Sequence, residues 1–157
     1  MNPSEIKGRL RYTWFPFFSR FGKFTPIQEE AIPFVLNGEN LVLISPAASG
    51  KTEAVVAPLV EQMIEKGKKD FAILYISPTR ALVNDLFRRL EEPFKLLNLP
   101  LAVKTGDRPS FKVKELPFIL LTTPESFDSL LSRHPAVFDR LGAVILDELH
   151  LLDHTPR

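Results

Sequence analysis

Four short apolar runs divide the sequence, and they constrain its fold more than any other feature. They read NLVLIS, FAILYIS, FILLTT and AVILDE. None of them alternates regularly between apolar and polar residues, which is typical of strands covered on both faces in a parallel sheet. Segments of helical or loop character separate the runs, so their order predicts right-handed crossovers between parallel strands. We therefore expect an α/β domain with a mostly parallel sheet and helices on both faces.

Two of the separating segments have apolar residues at helical spacing. Pro58 lies inside the first segment and predicts a kink or an early irregularity of the helix, because proline removes a backbone hydrogen bond. Pro93 predicts the end of the second helix, and a shorter helix is expected after Pro124. The apolar positions of the two segments are Val56, Leu59, Val60, Met63 and Ile64, followed by Val83, Leu86, Phe87 and Leu90.

The N-terminal part of the chain differs in character from the rest. Aromatic residues crowd ahead of TPIQEEAIPFVLNG, a segment that predicts a helix closed by Gly38. Core packing is the favoured interpretation of the aromatic residues, although Phe21 or Phe24 could also stack on a purine base. We expect residues 1–39 to form an aromatic-rich cap.

Composition excludes several classes of protein. The chain has no cysteine, which excludes disulfides and thiolate metal sites and fits a cytoplasmic protein. No apolar run approaches the roughly 20 residues that span a bilayer, so no membrane association is expected. Lys and Arg number 20 against 19 Asp and Glu, so net charge gives no indication of a nucleic-acid partner.

The stretch SPAASGKT follows the first apolar run and ends as a phosphate-binding loop ends. In such a loop, backbone N–H groups and a helix N-terminus converge on the anion. Lys51 would reach the outer phosphates and Thr52 would ligate Mg²⁺. Ser45 stands where the usual pattern has glycine, a position that mainly requires a small residue.

Two adjacent carboxylates, Asp147 and Glu148, end the fourth apolar run. In phosphoryl-transfer enzymes an acidic residue at such a strand end holds Mg²⁺, and a neighbouring carboxylate can orient the attacking water. The alternative is a polar strand end at the surface. The Gly-Lys-Thr loop elsewhere in the chain favours the catalytic interpretation.

Six motifs in order, FTPIQ, SPAASGKT, SPTRALVNDL, TGDRP, TTPES and DELH, resemble those of superfamily 2 helicases. Within them the chain is most similar to the DExH-type, large helicase-related (Lhr-like) group. The resemblance implies that Gln28 reads the adenine edge and that Asp147 and Thr52 ligate Mg²⁺. It implies that Glu148 is the catalytic base and that Lys51 is also a catalytic residue. His150 would couple the site to the rest of the protein. It implies ATP binding by Ser45, Pro46, Ala47, Ala48, Ser49, Gly50, Lys51 and Thr52, and nucleic-acid binding by Pro78, Thr79, Arg80, Thr105, Gly106, Thr123 and Pro124.

The resemblance also implies a domain organisation. Residues 40–157 would form part of a RecA-like P-loop NTPase domain that stops after the DELH motif. The family's second RecA-like domain supplies arginines to the ATPase site, so hydrolysis and unwinding are expected to need it. The nucleic acid would be single-stranded or partly duplex, with DNA and RNA both open.

Three alternatives accompany this interpretation. A P-loop nucleotide kinase also uses a Gly-Lys-Thr loop, but no arginine-rich lid insertion is evident in the sequence. A non-catalytic interaction module could retain the fold. His150 and His154 stand four residues apart, a spacing found in zinc sites, but no third ligand is evident.

Overall fold

The computed structural model describes residues 1–108 and 112–152. The chain packs as two compact units, Met1–Gly67 and Lys68–Arg157. The predicted division between residues 1–39 and 40–157 follows the motifs and stays a prediction about function. No helix in the described part of the chain is both long enough and apolar enough to cross a membrane.

The first unit is helical. Its elements are α1 Pro3–Arg9, α2 Trp14–Phe18, α3 Pro26–Leu36 and α4 Lys51–Glu65. Gly38 follows α3 with a φ of 79°, so the predicted end of that helix is confirmed. The expected kink at Pro58 does not divide α4, which continues as one helix to Glu65. Pro58 is itself buried, and packing of this face keeps the helix continuous although the proline lacks a backbone N–H to donate.

Aromatic packing fixes the N-terminal helices of this unit. The Phe18 ring lies 5.8 Å from that of Trp14 and 5.0 Å from that of Phe24. Phe24 is 7% exposed, so it belongs to the core, whereas Phe21 is 57% exposed. The favoured interpretation, core packing, therefore holds for Phe24.

The first apolar run does not form the predicted strand. Residues 39–46 have no regular secondary structure, and the exposed fractions of Val42 and Ile44 are 72% and 88%. An extended run becomes a strand only when a neighbouring strand edge accepts its backbone hydrogen bonds. In the described part of the chain, none of the strands pairs with this run. The prediction that all four runs are strands was therefore wrong for this one.

The second unit contains the sheet. Its elements are β1 Ile73–Ile76, α5 Arg80–Leu96, β2 Leu101–Lys104, β3 Ile119–Thr122, α6 Pro124–Arg133, a 3₁₀ helix at Pro135–Arg140, β4 Ala143–Leu146 and α7 Leu149–Leu152. The strands lie in the order β2-β3-β1-β4 and every pairing is parallel. The predicted parallel α/β class is confirmed, and the central strands β1 and β3 are fully buried.

The register of the sheet places the ends of its strands side by side. Ile76 of β1 pairs with Thr122 of β3 and with Leu146 of β4, and Lys104 of β2 also pairs with Thr122. The next residues along these strands, Ser77, Thr105, Thr123 and Asp147, therefore emerge at one edge of the sheet. Ligand-binding loops of parallel sheets occupy this carboxyl edge.

Helix α5 does not end at Pro93 as predicted. It continues to Leu96, and Phe94, in the turn after the proline, is 1% exposed. Burial of this ring stabilises the final turn. The proline carbonyl still accepts a hydrogen bond, from the backbone N–H of Leu97 at 3.1 Å.

Candidate functional site

The loop Ser45–Thr52 leads directly into the N-terminus of α4. Gly50 precedes the helix with a φ of 87°, a left-handed conformation that glycine adopts without strain. Because glycine has no side chain, no side chain caps the first turn of α4. The N-terminus of a helix of 15 residues thus keeps its positive end open toward the loop, which suits an anion.

The side chains of the loop bond to one another. The Lys51 ammonium donates to the carbonyl oxygen of Ser45 at 2.9 Å. The hydroxyls of Ser45 and Ser49 lie 2.6 Å apart and share a hydrogen bond across the loop. An incoming phosphate would therefore replace the Ser45 carbonyl as the partner of Lys51.

Helix α3 holds the loop from one side. The Thr25 hydroxyl donates to the carbonyl of Ser49 at 2.8 Å, and the Gln28 side-chain amide donates to the carbonyl of Gly50 at 3.2 Å. The other end of the Gln28 amide accepts the backbone N–H of Thr25 at 2.9 Å. Gln28 is 5% exposed, so both ends of its amide act inside the protein. The structure thus joins the predicted adenine-reading residue to the predicted phosphate loop.

The two predicted carboxylates follow β4 in the second unit. The backbone N–H of Asp147 donates to the Ile76 carbonyl at 2.9 Å, which extends the pairing with β1 by one residue. Glu148 has a φ of 50°, and its N–H donates to the Asp147 carboxylate at 3.0 Å. A left-handed conformation costs a residue other than glycine about 1 kcal/mol, and such strain is concentrated at functional sites.

His150 lies close to the second of these carboxylates. Its Nε2 atom is 3.4 Å from the Glu148 carboxylate, and the imidazole is exposed. The role predicted for His150, coupling the site to the rest of the protein, stays a prediction. His154 lies outside the described residues, so the structure does not test the zinc-like spacing.

The predicted nucleic-acid residues lie at the carboxyl edge of the sheet. Thr79 caps α5 by accepting the N–H of Leu82 at 3.2 Å. Arg80 forms an ion pair of 2.7 Å with Asp107, an acidic partner that the sequence analysis did not single out. A Cβ on Gly106 would lie 3.0 Å from the Arg80 guanidinium, so glycine lets this cation lie against the backbone.

One cleft of about 420 Å³ in the second unit gathers several of these residues. Arg80, Thr105, Gly106 and Thr123 line it. Pro78 and Thr79 precede Arg80 along the chain, and Pro124 begins α6 directly after Thr123. The structure therefore brings together residues from three separate motifs.

The residues of the loop fit a magnesium-bound nucleotide. The Thr52 hydroxyl forms no hydrogen bond within the described ranges, so it is available as a metal ligand. Lys51 supplies a cation beside the open helix end. A ready-made group of three or more His, Asp or Glu side chains for a metal does not occur among residues 1–108 and 112–152.

Comparison with known proteins agrees with these features. The chain is 37% identical to the ATP-dependent helicase Lhr-Core protein 2 of Thermococcus barophilus, over 90% of this chain and 19% of that protein. The RNA helicase Prp28 of Chaetomium thermophilum, solved bound to ADP, has a TM-score of 0.79 and 26% identity over 97% of this chain and 39% of that chain. The DUF1998 helicase MrfA, solved bound to DNA and AMPPNP, has a TM-score of 0.73 and 26% identity over 90% of this chain and 21% of that chain.

These comparisons confirm the RecA-like helicase fold implied by the ordered motifs. The chain spans about a fifth of the length of the first of these relatives, 19%. The DEAD/DEAH box helicase family matches residues 25–156, from the threonine of FTPIQ past the DELH motif. The chain therefore belongs to the DEAD/DEAH box helicase family.

Proposed function

We propose that the chain binds Mg-ATP through the loop Ser45–Thr52 and contacts the backbone of single-stranded or partly duplex nucleic acid, as the ATP-binding part of an ATP-dependent helicase. One observation carries the proposal: an uncapped helix N-terminus opens onto a loop that ends in Lys51 and in Thr52, whose hydroxyl has no hydrogen-bond partner among the described residues. Family membership and the nucleotides bound in the two solved relatives support it.

The roles of the first unit follow from its contacts. Backbone N–H groups of the loop hold the phosphates, and Lys51 exchanges the Ser45 carbonyl for a phosphate oxygen. The Thr52 hydroxyl would ligate Mg²⁺, and the metal ion would neutralise phosphate charge. Gln28 is proposed to read the adenine edge. Its amide is held by the Thr25 N–H and the Gly50 carbonyl in this structure, so base recognition would have to share or exchange these hydrogen bonds.

The roles of the second unit follow from the DELH motif. Asp147 is proposed as a further ligand of Mg²⁺ and Glu148 as the base that orients the attacking water. Glu148 has a left-handed backbone directly after the strand end at Asp147. His150 lies close to the Glu148 carboxylate and is proposed to couple this site to the rest of the protein. Arginines of a second RecA-like domain are proposed to complete hydrolysis and unwinding.

The nucleic-acid part rests on the carboxyl edge of the sheet. Hydroxyls, backbone groups and one arginine can grip phosphates there without reading bases. Prp28 is named an RNA helicase and MrfA was solved with DNA, so the proposal covers the phosphate backbone that both nucleic acids share. Family membership counts against the nucleotide-kinase alternative.

Arg80→Ala is expected to weaken binding of a short single-stranded oligonucleotide about tenfold, because it removes one charge-assisted phosphate contact. Fluorescence anisotropy of labelled oligo-dT and oligo-U at low salt measures the affinity. Arg88→Ala is the matched control, since Arg88 is an exposed arginine of the same helix whose ion pair with Asp85 is also exposed. Equal affinities for the Arg80 variant and the unaltered chain would contradict the assignment of Arg80.

A further inference from the structure

Ser77 has a buried hydroxyl that lacks a hydrogen-bond partner. The residue follows β1 directly and is 0% exposed. Its Oγ atom neither donates nor accepts a hydrogen bond within residues 1–108 and 112–152. A buried hydroxyl in this condition destabilises the fold, so each one in a protein needs a physical explanation. Ser77 has no role in the proposed function, which leaves its hydroxyl to be explained.

Backbone hydrogen bonds place Ser77 between the ends of two neighbouring strands. Its N–H donates to the Thr122 carbonyl at 3.0 Å, so Ser77 lies opposite Thr123 on one side. The Asp147 N–H donates to the Ile76 carbonyl at 2.9 Å, so Asp147 lies opposite Ser77 on the other side. Residues opposite each other in a parallel sheet share a face, and neighbouring strands lie about 4.8 Å apart. The Ser77 hydroxyl therefore shares a face of the sheet with the Asp147 carboxylate and the Thr123 hydroxyl.

Of these two neighbours, the Asp147 carboxylate is the better acceptor for the Ser77 hydroxyl. One carboxylate oxygen accepts the N–H of Glu148 at 3.0 Å, and the other has no hydrogen bond among the described residues. Asp147 is half-buried, where a hydrogen bond to a charged group is stronger than it is in water. The Thr123 hydroxyl is neutral and offers a weaker bond. An available carboxylate oxygen and a buried donor without an acceptor thus belong to adjacent strand ends.

We propose that Ser77 is a positioning residue for Asp147, and that its hydroxyl donates a hydrogen bond to the second carboxylate oxygen when Asp147 acts as a ligand of Mg²⁺. The inference rests on the proposed function, which gives Asp147 that role. A donor at the end of β1 holds the carboxylate in one orientation from the strand beside it. The hydrogen bond belongs to the bound state, so its loss affects nucleotide binding and not the stability of the free chain.

Ser77→Ala should therefore change nucleotide binding without weakening the fold. In the absence of Mg²⁺ its affinity for ATP should equal that of the unaltered chain. In the presence of Mg²⁺ its affinity should be roughly tenfold weaker, because a hydrogen bond to a charged group is lost. Calorimetric titration of ATP under both conditions measures these affinities. Ser77→Cys keeps a side chain of similar size with a weak donor and should bind Mg-ATP with intermediate affinity.

Thr122→Val is the matched control, and stability is the second measurement. Thr122 ends the neighbouring strand β3 and is also 0% exposed, but its hydroxyl donates to the Lys104 carbonyl at 2.7 Å. Thr122→Val should lower the denaturant midpoint, followed by circular dichroism without nucleotide, and keep the full effect of Mg²⁺ on ATP affinity. The midpoint of Ser77→Ala should not fall, since alanine removes a polar group that has no partner to lose.

The outcomes separate this inference from the function on which it rests. If Mg²⁺ strengthens ATP binding equally in Ser77→Ala and in the unaltered chain, the role of Ser77 is overturned and the proposed function stands. A denaturant midpoint of Ser77→Ala as low as that of Thr122→Val would assign the hydroxyl to the fold and would also overturn the inference. No binding of Mg-ATP by the unaltered chain would overturn both proposals.

Discussion

Gly50→Ala is expected to reduce the binding of Mg-ATP below detection. Gly50 has a φ of 87°, where any other residue is strained, and a Cβ there would overlap the side-chain nitrogen of Gln28. The same Cβ would lie 3.3 Å from the Thr25 hydroxyl. The loop must then move away from α3 and lose the hydrogen bonds to the carbonyls of Ser49 and Gly50. We expect this displacement to move Lys51 away from the position that phosphate binding requires.

Gly67→Ala is the matched control for this variant. Gly67 has a φ of 70°, but a Cβ there would meet nothing within 4 Å. It should therefore carry the backbone strain, about 1 kcal/mol, and keep full affinity for Mg-ATP. Isothermal titration calorimetry on both variants makes the comparison. Normal nucleotide affinity in Gly50→Ala would show that the contact between α3 and the loop has no part in binding.

Glu61→Ala is expected to lower the free energy of unfolding of the first unit by about 3 kcal/mol. Glu61 lies on α4 and is 0% exposed. Its carboxylate accepts the backbone N–H groups of Tyr12 and Thr13, each at 3.0 Å, and the Thr13 hydroxyl at 2.9 Å. Alanine removes the acceptor of all three donors, and the two donors of Thr13 are buried. The segment before α2 would then lose its attachment to α4.

Denaturant unfolding followed by tryptophan fluorescence measures this effect. Trp14 is the chain's single tryptophan and packs in the first unit, so its emission reports on that unit. Glu65→Ala removes an exposed carboxylate from the same helix and should change stability by about 0.5 kcal/mol or less. Glu61→Gln keeps one acceptor oxygen and should fall between the two. An unfolding midpoint of Glu61→Ala equal to that of Glu65→Ala would contradict the account.

The strands could be predicted best where an apolar run of the sequence is buried on both faces of the sheet. FAILYIS and FILLTT contain β1 and β3, which are buried along their whole length between neighbouring strands. AVILDE contains β4, which pairs on one side, and Val144 is 52% exposed. For β1 and β3 the sequence pattern and the packing of the chain agree, whereas β4 is a strand as predicted but is not covered on both faces.

The remaining differences have physical causes that a single run does not show. NLVLIS is as apolar as the runs that form strands. A strand also needs a neighbouring strand edge to pair with, and composition does not show whether one is available. Strand β2 is half-buried along its length and carries Lys104, so its pattern did not differ from that of a loop. Pro93 predicted the end of α5, but burial of Phe94 in the core stabilises the helix beyond the proline.

The candidate site was predictable as motifs and not as contacts. The sequence indicated Lys51, Thr52 and the DELH carboxylates by residue type and position. It gave no sign that Ser45, which departs from the usual pattern, shares a hydrogen bond with Ser49. The partner of Arg80, Asp107, lies 27 residues further along the chain, so only folding reveals the pair.

Calorimetric titration of ATP into the chain, with and without Mg²⁺, tests the central claim most directly. The account predicts saturable binding that strengthens with Mg²⁺ and is lost in Lys51→Ala, because the Lys51 ammonium is the cation of the phosphate loop. Lys66→Ala, an exposed lysine directly after α4, should bind as the unaltered chain does. Equal heats of binding in Lys51→Ala and in the unaltered chain would contradict the claim that Ser45–Thr52 is a nucleotide phosphate site.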